Sequence, residues 1–144
     1  MKTVRWVSLI CLVVAISWFL GSQIMRSSLQ SDVEQEYGIK IQSLRLSAAG
    51  YMLDFRYKVL DPEKALPILD GKISPYLIDE ATGAKFLVPA PPKIGALRNK
   101  VRNGLPEAGR TYFIMFGNPW QYVKAGNKVA VVVGDFKADN ITVQ

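Results

Sequence analysis

The chain contains no histidine and only one cysteine among its 144 residues. Without imidazole there is no Ser-His or Cys-His catalytic pair. Without paired thiols there is no C-x-x-C-H haem attachment and no thiolate or imidazole zinc site. No D-x-[DN]-x-[DN]-G calcium loop is present either. The expectation is therefore a non-enzymatic protein with no catalytic residue, no cofactor and no metal, although Lys or Asp chemistry stays open. The single thiol, Cys11, is preceded by Ile10, where a lipoprotein signal needs a small residue, and reads as an inert apolar side chain.

Charge is missing from one long stretch. Trp6 to Met25 holds no ionisable acid or base, with Lys2 and Arg5 before it and Arg26 after it. Twenty residues at about 1.5 Å each span roughly 30 Å, the hydrocarbon thickness of a bilayer. A cleaved secretory signal is the competing reading. The one small-x-small pair near the run's end, Ala15 and Ser17, would leave Trp18, Phe19 and Leu20 at the new terminus, so a retained anchor is favoured. Basic residues precede the run, and Asp32, Glu34 and Glu36 follow it, which places the remainder outside the cytoplasm. The expected organisation is a cytoplasmic tip at 1–5, a transmembrane anchor at 6–25, a linker at 26–36 and one exported domain at 37–144. The expected location is the inner (plasma) membrane, single-pass, with the body in the periplasm or its equivalent.

Removing Lys2, Arg5 and Arg26 lowers the formal charge from +6 to +3. Nucleic acid is not an expected partner on that side of a membrane. Anionic lipid headgroups or an acidic partner suit the charge better.

The domain reads as β. Ile39 and Ile41 alternate in one phase, and Leu44, Leu46 and Ala48 in the other, so Gln42–Ser43 is expected to be a bulge. Tyr51, Leu53, Phe55, Tyr57 and Val59 alternate with Asp54, Arg56 and Lys58, the pattern of a half-buried strand whose charged face is solvated and salt-paired. Asp61-Pro62-Glu63 starts a helix that Pro67 is expected to stop after one turn. Pro75 confines the following strand to an edge or a bulge. Asp79 to Gly83 reads as a hairpin link, its acids as turn formers.

Residues 89–110 are irregular. Ile94, Leu97, Val101 and Leu105 recur at helical spacing among Lys93, Arg98, Lys100 and Arg102, predicting either a short basic amphipathic segment or a loop packing its aliphatics inward. Thr111 to Gly117 is apolar on both faces, as expected of a strand covered twice. Phe113 and Met115, if uncovered, would form a partner site. Trp120 and Tyr122 flank a turn, where they suit a protein interface, sugar stacking or a plug at the end of the core. Lys128 to Val133 is again apolar throughout.

Seven or eight short strands with regular turns and one brief crossover predict an antiparallel β-sandwich, immunoglobulin-like or fibronectin-like in pattern. The function expected is that of an accessory or interaction subunit of a larger membrane or envelope complex. The candidate partner-binding residues are Phe113, Met115, Trp120, Tyr122, Arg98, Lys100 and Arg102. The alternative is an extracytoplasmic ligand- or glycan-binding module using Trp120, Tyr122 and Tyr112, either anchored or secreted.

Overall fold

The computed structural model describes residues 30–144. The expected tip, the run 6–25 and the first part of the linker lie outside the described residues. Residues 30–36 are helical, and Val33 and Tyr37 pack on the domain's core. Gly38 then turns the chain at φ +57, and its carbonyl accepts hydrogen bonds from the N–H groups of Leu60 and Asp61.

Seven strands follow among the described residues, arranged as two antiparallel sheets. β1 (Ile39–Ser47), β2 (Met52–Val59) and β5 (Thr111–Gly117) form a three-stranded sheet in the order β1-β2-β5. β3 (Tyr76–Asp79), β4 (Lys85–Leu87), β6 (Lys128–Val133) and β7 (Phe136–Thr142) form a four-stranded sheet in the order β4-β3-β6-β7. Leu53, Phe55, Tyr57 and Val59 of one sheet and Leu77, Val129, Val131 and Phe136 of the other join a single buried cluster. Alternation puts every second side chain of each strand into that shared layer.

Most local expectations hold. β1 shifts register between Ile41 and Ser43, so the bulge sits where the apolar phase slips. Asp79 to Gly83 links β3 to β4. Asp79 Oδ2 accepts from the Thr82 hydroxyl at 2.6 Å, and Gly83 takes φ +75. The edge or bulge expected at Pro75 is a correction: β3 lies inside its sheet, paired to β4 and β6 with no register shift, because it begins only after Pro75 and so leaves the missing N–H outside the ladder.

Four other expectations fail for identifiable reasons. First, the helix after Asp61 runs eight residues as α1 (Pro62–Leu69), straight through Pro67. Asp61 caps it by accepting from Glu63 and Lys64, and burial of Ala65, Ile68 and Leu69 in the core cluster outweighs the one hydrogen bond that Pro67 cannot donate.

Second, of the two readings of residues 89–110, the helical one fails and the loop one stands. These residues run through turns and bends, with three positive-φ glycines, Gly95, Gly104 and Gly109, that break helical geometry, and both Ile94 and Leu105 are exposed. Third, β5 is an edge strand rather than a central one. Its free edge is covered by that same loop. Asn99 N–H donates to Phe113 O at 3.1 Å, Phe113 N–H to Asn99 Oδ1 at 2.8 Å, and Met115 N–H to Leu97 O at 2.9 Å. Fourth, β2 starts at Met52, so Tyr51 faces solvent instead of the core.

At the other side of the three-stranded sheet the C-terminal residue pairs with β1. Leu46 N–H donates to Gln144 O, and Gln144 N–H to Leu44 O. The Glu34 carboxylate takes the Ile41 N–H at 2.8 Å, so the β1 edge is blunted at both ends.

Candidate functional site

The end of the three-stranded sheet opposite Gly38 is built from two turns that both need left-handed backbone. Between β1 and β2, Ala48 and Ala49 take φ 49 and 55 ahead of Gly50. After β5, Trp120 and Gln121 take φ 54 and 52. Each non-glycine residue in that region costs about 1 kcal/mol, so four of them side by side need strong local support.

Asn118 supplies it. Its side chain is fully buried, and Nδ2 donates to Gly50 O at 2.8 Å and to Val123 O at 2.9 Å. Its Oδ1 accepts the Val123 N–H at 2.9 Å, while its own N–H reaches Tyr51 O. Gln121 Nε2 adds a bond to Ala49 O at 2.8 Å. The two turns are thus stitched into one rigid tip, from which Trp120 projects with 89 % of its surface exposed. Tyr122 is 48 % exposed and rests its ring on Phe86, centroids 5.6 Å apart. Tyr51 is exposed on the neighbouring turn. Trp120 is therefore no plug for the core: the interior ends on Val123 and Phe116, and the indole is left outside.

No family model, curated protein or solved structure matches this chain. What the site does must come from its own geometry.

The other candidate residues do not join Trp120 and Tyr122. Phe113 and Met115 are half-buried on the outer face of the three-stranded sheet, directly across from Arg56 and Asp54. Arg98 is a correction. It is only 7 % exposed, and its guanidinium donates to Ile73 O at 2.7 Å and to Ile68 O, closing the C-terminal end of α1. Burial pulls its pKa below the ordinary arginine value, with Tyr57 and Asp70 opposing the shift. Arg98 is thus a structural cation and offers nothing to a surface partner. Lys100 lies exposed alongside Gly71, and Arg102 is exposed further along the loop.

A cleft of about 170 Å³ opens beside Arg98 and Lys100, walled by Ile73, Pro75, Leu87 and Ala96. Two of the five guanidinium N–H groups of Arg98 go to carbonyls, its Nε is buried without a partner, and Lys100 is the other cation of the lining. Among the described residues, no three His, Cys, Asp or Glu side chains stand together as a metal ligand set. Tyr112, the third ring of the glycan alternative, is buried and its hydroxyl accepts the Glu107 N–H.

Sequence reasoning missed the polar residues that hold the tip, Asn118 and Gln121. An Asn-Pro pair before two aromatics signals a turn, but its partners Gly50 and Val123 become visible only once β2 and β5 are paired.

Proposed function

We propose that this chain is a single-pass, membrane-anchored accessory subunit that docks on a larger membrane or envelope complex through its aromatic tip. In this reading 6–25 is the anchor in the inner (plasma) membrane, and the β domain is an immunoglobulin-like or fibronectin-like sandwich on the extracytoplasmic side. The observation that carries it is the indole of Trp120, held outside the core on a turn that costs energy to form and is fixed by the Asn118 network. Strain of this kind persists where the surroundings over-determine it, commonly at recognition sites. A rigid, exposed Trp with a Tyr beside it is the usual composition of an interface hot spot. The tip also lies at the end of the sheet remote from Gly38, where the chain enters, so a partner can reach it past the tether.

Affinity capture from native detergent extracts tests this. Tagged wild type retains a defined set of membrane proteins, and Trp120→Ala loses them while unfolding at the same denaturant concentration. Equal capture by both chains removes the tip from the interface and the proposal with it. The same extracts show whether the chain resists alkaline extraction from membranes, as a retained anchor requires.

The glycan-binding alternative keeps two of its three rings, Trp120 and Tyr122, at one end of the domain. It demands saturable quenching of Trp fluorescence by cell-wall saccharides, abolished in Trp120→Ala.

A further inference from the structure

The outer face of the three-stranded sheet is a cationic plane. The β1–β2 register sets Lys40 directly across from Lys58, Ser43 across from Arg56, and Arg45 across from Asp54. Like charges opposite one another in an antiparallel pair destabilise it, and here the sheet retains two lysines in that relation. Asp54 is the only acid on these rows. It is held by Arg56 at 2.8 Å, which leaves four cations against one engaged carboxylate. Of the neighbouring acids, Glu107 is paired with Arg110 at 2.8 Å, and Glu34 accepts the neutral Ile41 N–H and keeps its charge at the edge of β1. Beside the cations, β5 contributes the half-buried Phe113 and Met115. The rows span three strands at about 4.8 Å spacing and seven to nine residues at roughly 3.3 Å each, a broad surface.

We propose that this face rests on anionic phospholipid headgroups. A broad, cationic, weakly apolar surface complements a plane of phosphates better than it does a single small anion. The inference rests on the anchor reading of Trp6 to Met25, which keeps the domain within a short linker of a bilayer. The tether is necessary to the argument. Each basic side chain near an anionic surface raises partitioning roughly five-fold, so a net excess of three gives on the order of a hundred-fold, marginal for a free domain and sufficient for one already held at high effective concentration. The residues involved are Lys40, Arg45, Arg56 and Lys58, not the loop cations between residues 93 and 102.

The experiment reconstitutes the full chain into vesicles of phosphatidylcholine alone or mixed with phosphatidylglycerol, and follows acylation of individual lysines by mass spectrometry. Lys40 and Lys58 are expected to react roughly three-fold or more slowly on the anionic vesicles, and high salt restores them, because headgroup attraction is screened. Lys85 and Lys128, on the four-stranded sheet, react alike in both lipids and report an intact fold. Replacing Arg45 and Arg56 by Gln weakens the protection while leaving both reporter lysines in place. Equal rates for Lys40 and Lys58 in the two lipids overturn the proposal. Protection confined to native membranes also overturns it and assigns the face to an acidic protein surface. Flotation with the neutral vesicles reads the anchor separately: a chain that does not float lacks it, which overturns the anchor reading and this proposal together, whereas in a chain that floats the comparison of the two lipids reads the face alone.

Discussion

Asn118 and Val123 exchange a reciprocal pair of hydrogen bonds: Asn118 Nδ2 donates to Val123 O at 2.9 Å, and the Val123 N–H returns to Asn118 Oδ1 at 2.9 Å. This closed ring mimics a strand pair across the four residues between them, and it holds Trp120 in place. Replacing Asn118 by Ala orphans the buried N–H and C=O of Val123 and the carbonyl of Gly50 together. The expected cost is about 3 kcal/mol, read as a lower midpoint in urea with an unchanged slope. Asn118→Asp keeps the acceptor but sets a buried carboxylate oxygen against the carbonyls of Gly50 and Val123, and is expected to cost at least as much as Ala.

Trp120 sits at φ 54, a conformation glycine takes freely. Trp120→Gly is therefore expected to be no less stable than wild type, and up to about 1 kcal/mol more so, since relief of backbone strain offsets the added freedom of the unfolded chain. Partner capture is lost in the same variant. Gaining stability while losing binding is the signature of a residue retained for recognition. A clear destabilisation would show that the indole packs where the structure leaves it exposed.

Arg98 spans two carbonyls, those of Ile68 and Ile73, with one planar fork. Lysine has a single nitrogen on a different stem and cannot reproduce that span. Arg98→Lys is expected to cost about 1–3 kcal/mol in spite of keeping the charge, measured by chemical denaturation. A neutral result would mean that charge alone, rather than the fork, closes the end of α1.

Tyr57 is fully buried with its hydroxyl unpartnered, and burial pushes its pKa well above the ordinary tyrosine value of 10.0. A group whose folded pKa is raised contributes stability in full below its unfolded value and loses it as pH climbs toward the folded one. The protein should therefore lose stability above pH 10. Tyr37 and Lys137, whose pKa values are also raised, act in the same direction. Tyr57→Phe removes one proton from that balance. Its unfolding midpoint should fall less steeply with pH than wild type in the alkaline range, with no loss at neutral pH, where the orphaned hydroxyl is gone.

Gly38 separates the helical residues 30–36 from β1 at φ +57, and a Cβ there would lie 2.5 Å from the Cβ of Asp61. Gly38→Ala should cost more than about 2 kcal/mol, whereas Gly104→Ala, at φ +79 with open space around it, should cost about 1 kcal/mol. Thermal unfolding of the two variants separates collision from dihedral strain.

Much of this domain was legible because strand patterns are local. The alternation of Leu53, Phe55, Tyr57 and Val59, the phase slip after Ile41 and the Asp79–Gly83 link each depend on a handful of consecutive residues. Where reading failed, a distant contact outweighed a local preference. Pro67 stays within a helix because Ile68 and Leu69 bury beyond it, and the helical spacing of Ile94, Leu97 and Val101 is overruled by a loop that completes the edge of β5. Arg98 looked like a surface cation among others, since nothing nearby in the chain reveals the two carbonyls that desolvate it.

The order of the residues alone determined that this chain has no imidazole or thiol-pair chemistry, carries one uncharged run long enough for a bilayer, and folds mainly into antiparallel strands. Those properties are composition and short-range periodicity, and no packing alters them. Tertiary structure decided which side chains share a surface. The register of β1 on β2 assembles Lys40, Arg45, Arg56 and Lys58 from separate stretches, and the approach of Gly50 to Asn118 presents Trp120 to solvent. Both are set by pairings between residues far apart in the chain, and such pairings leave no mark on either stretch taken by itself.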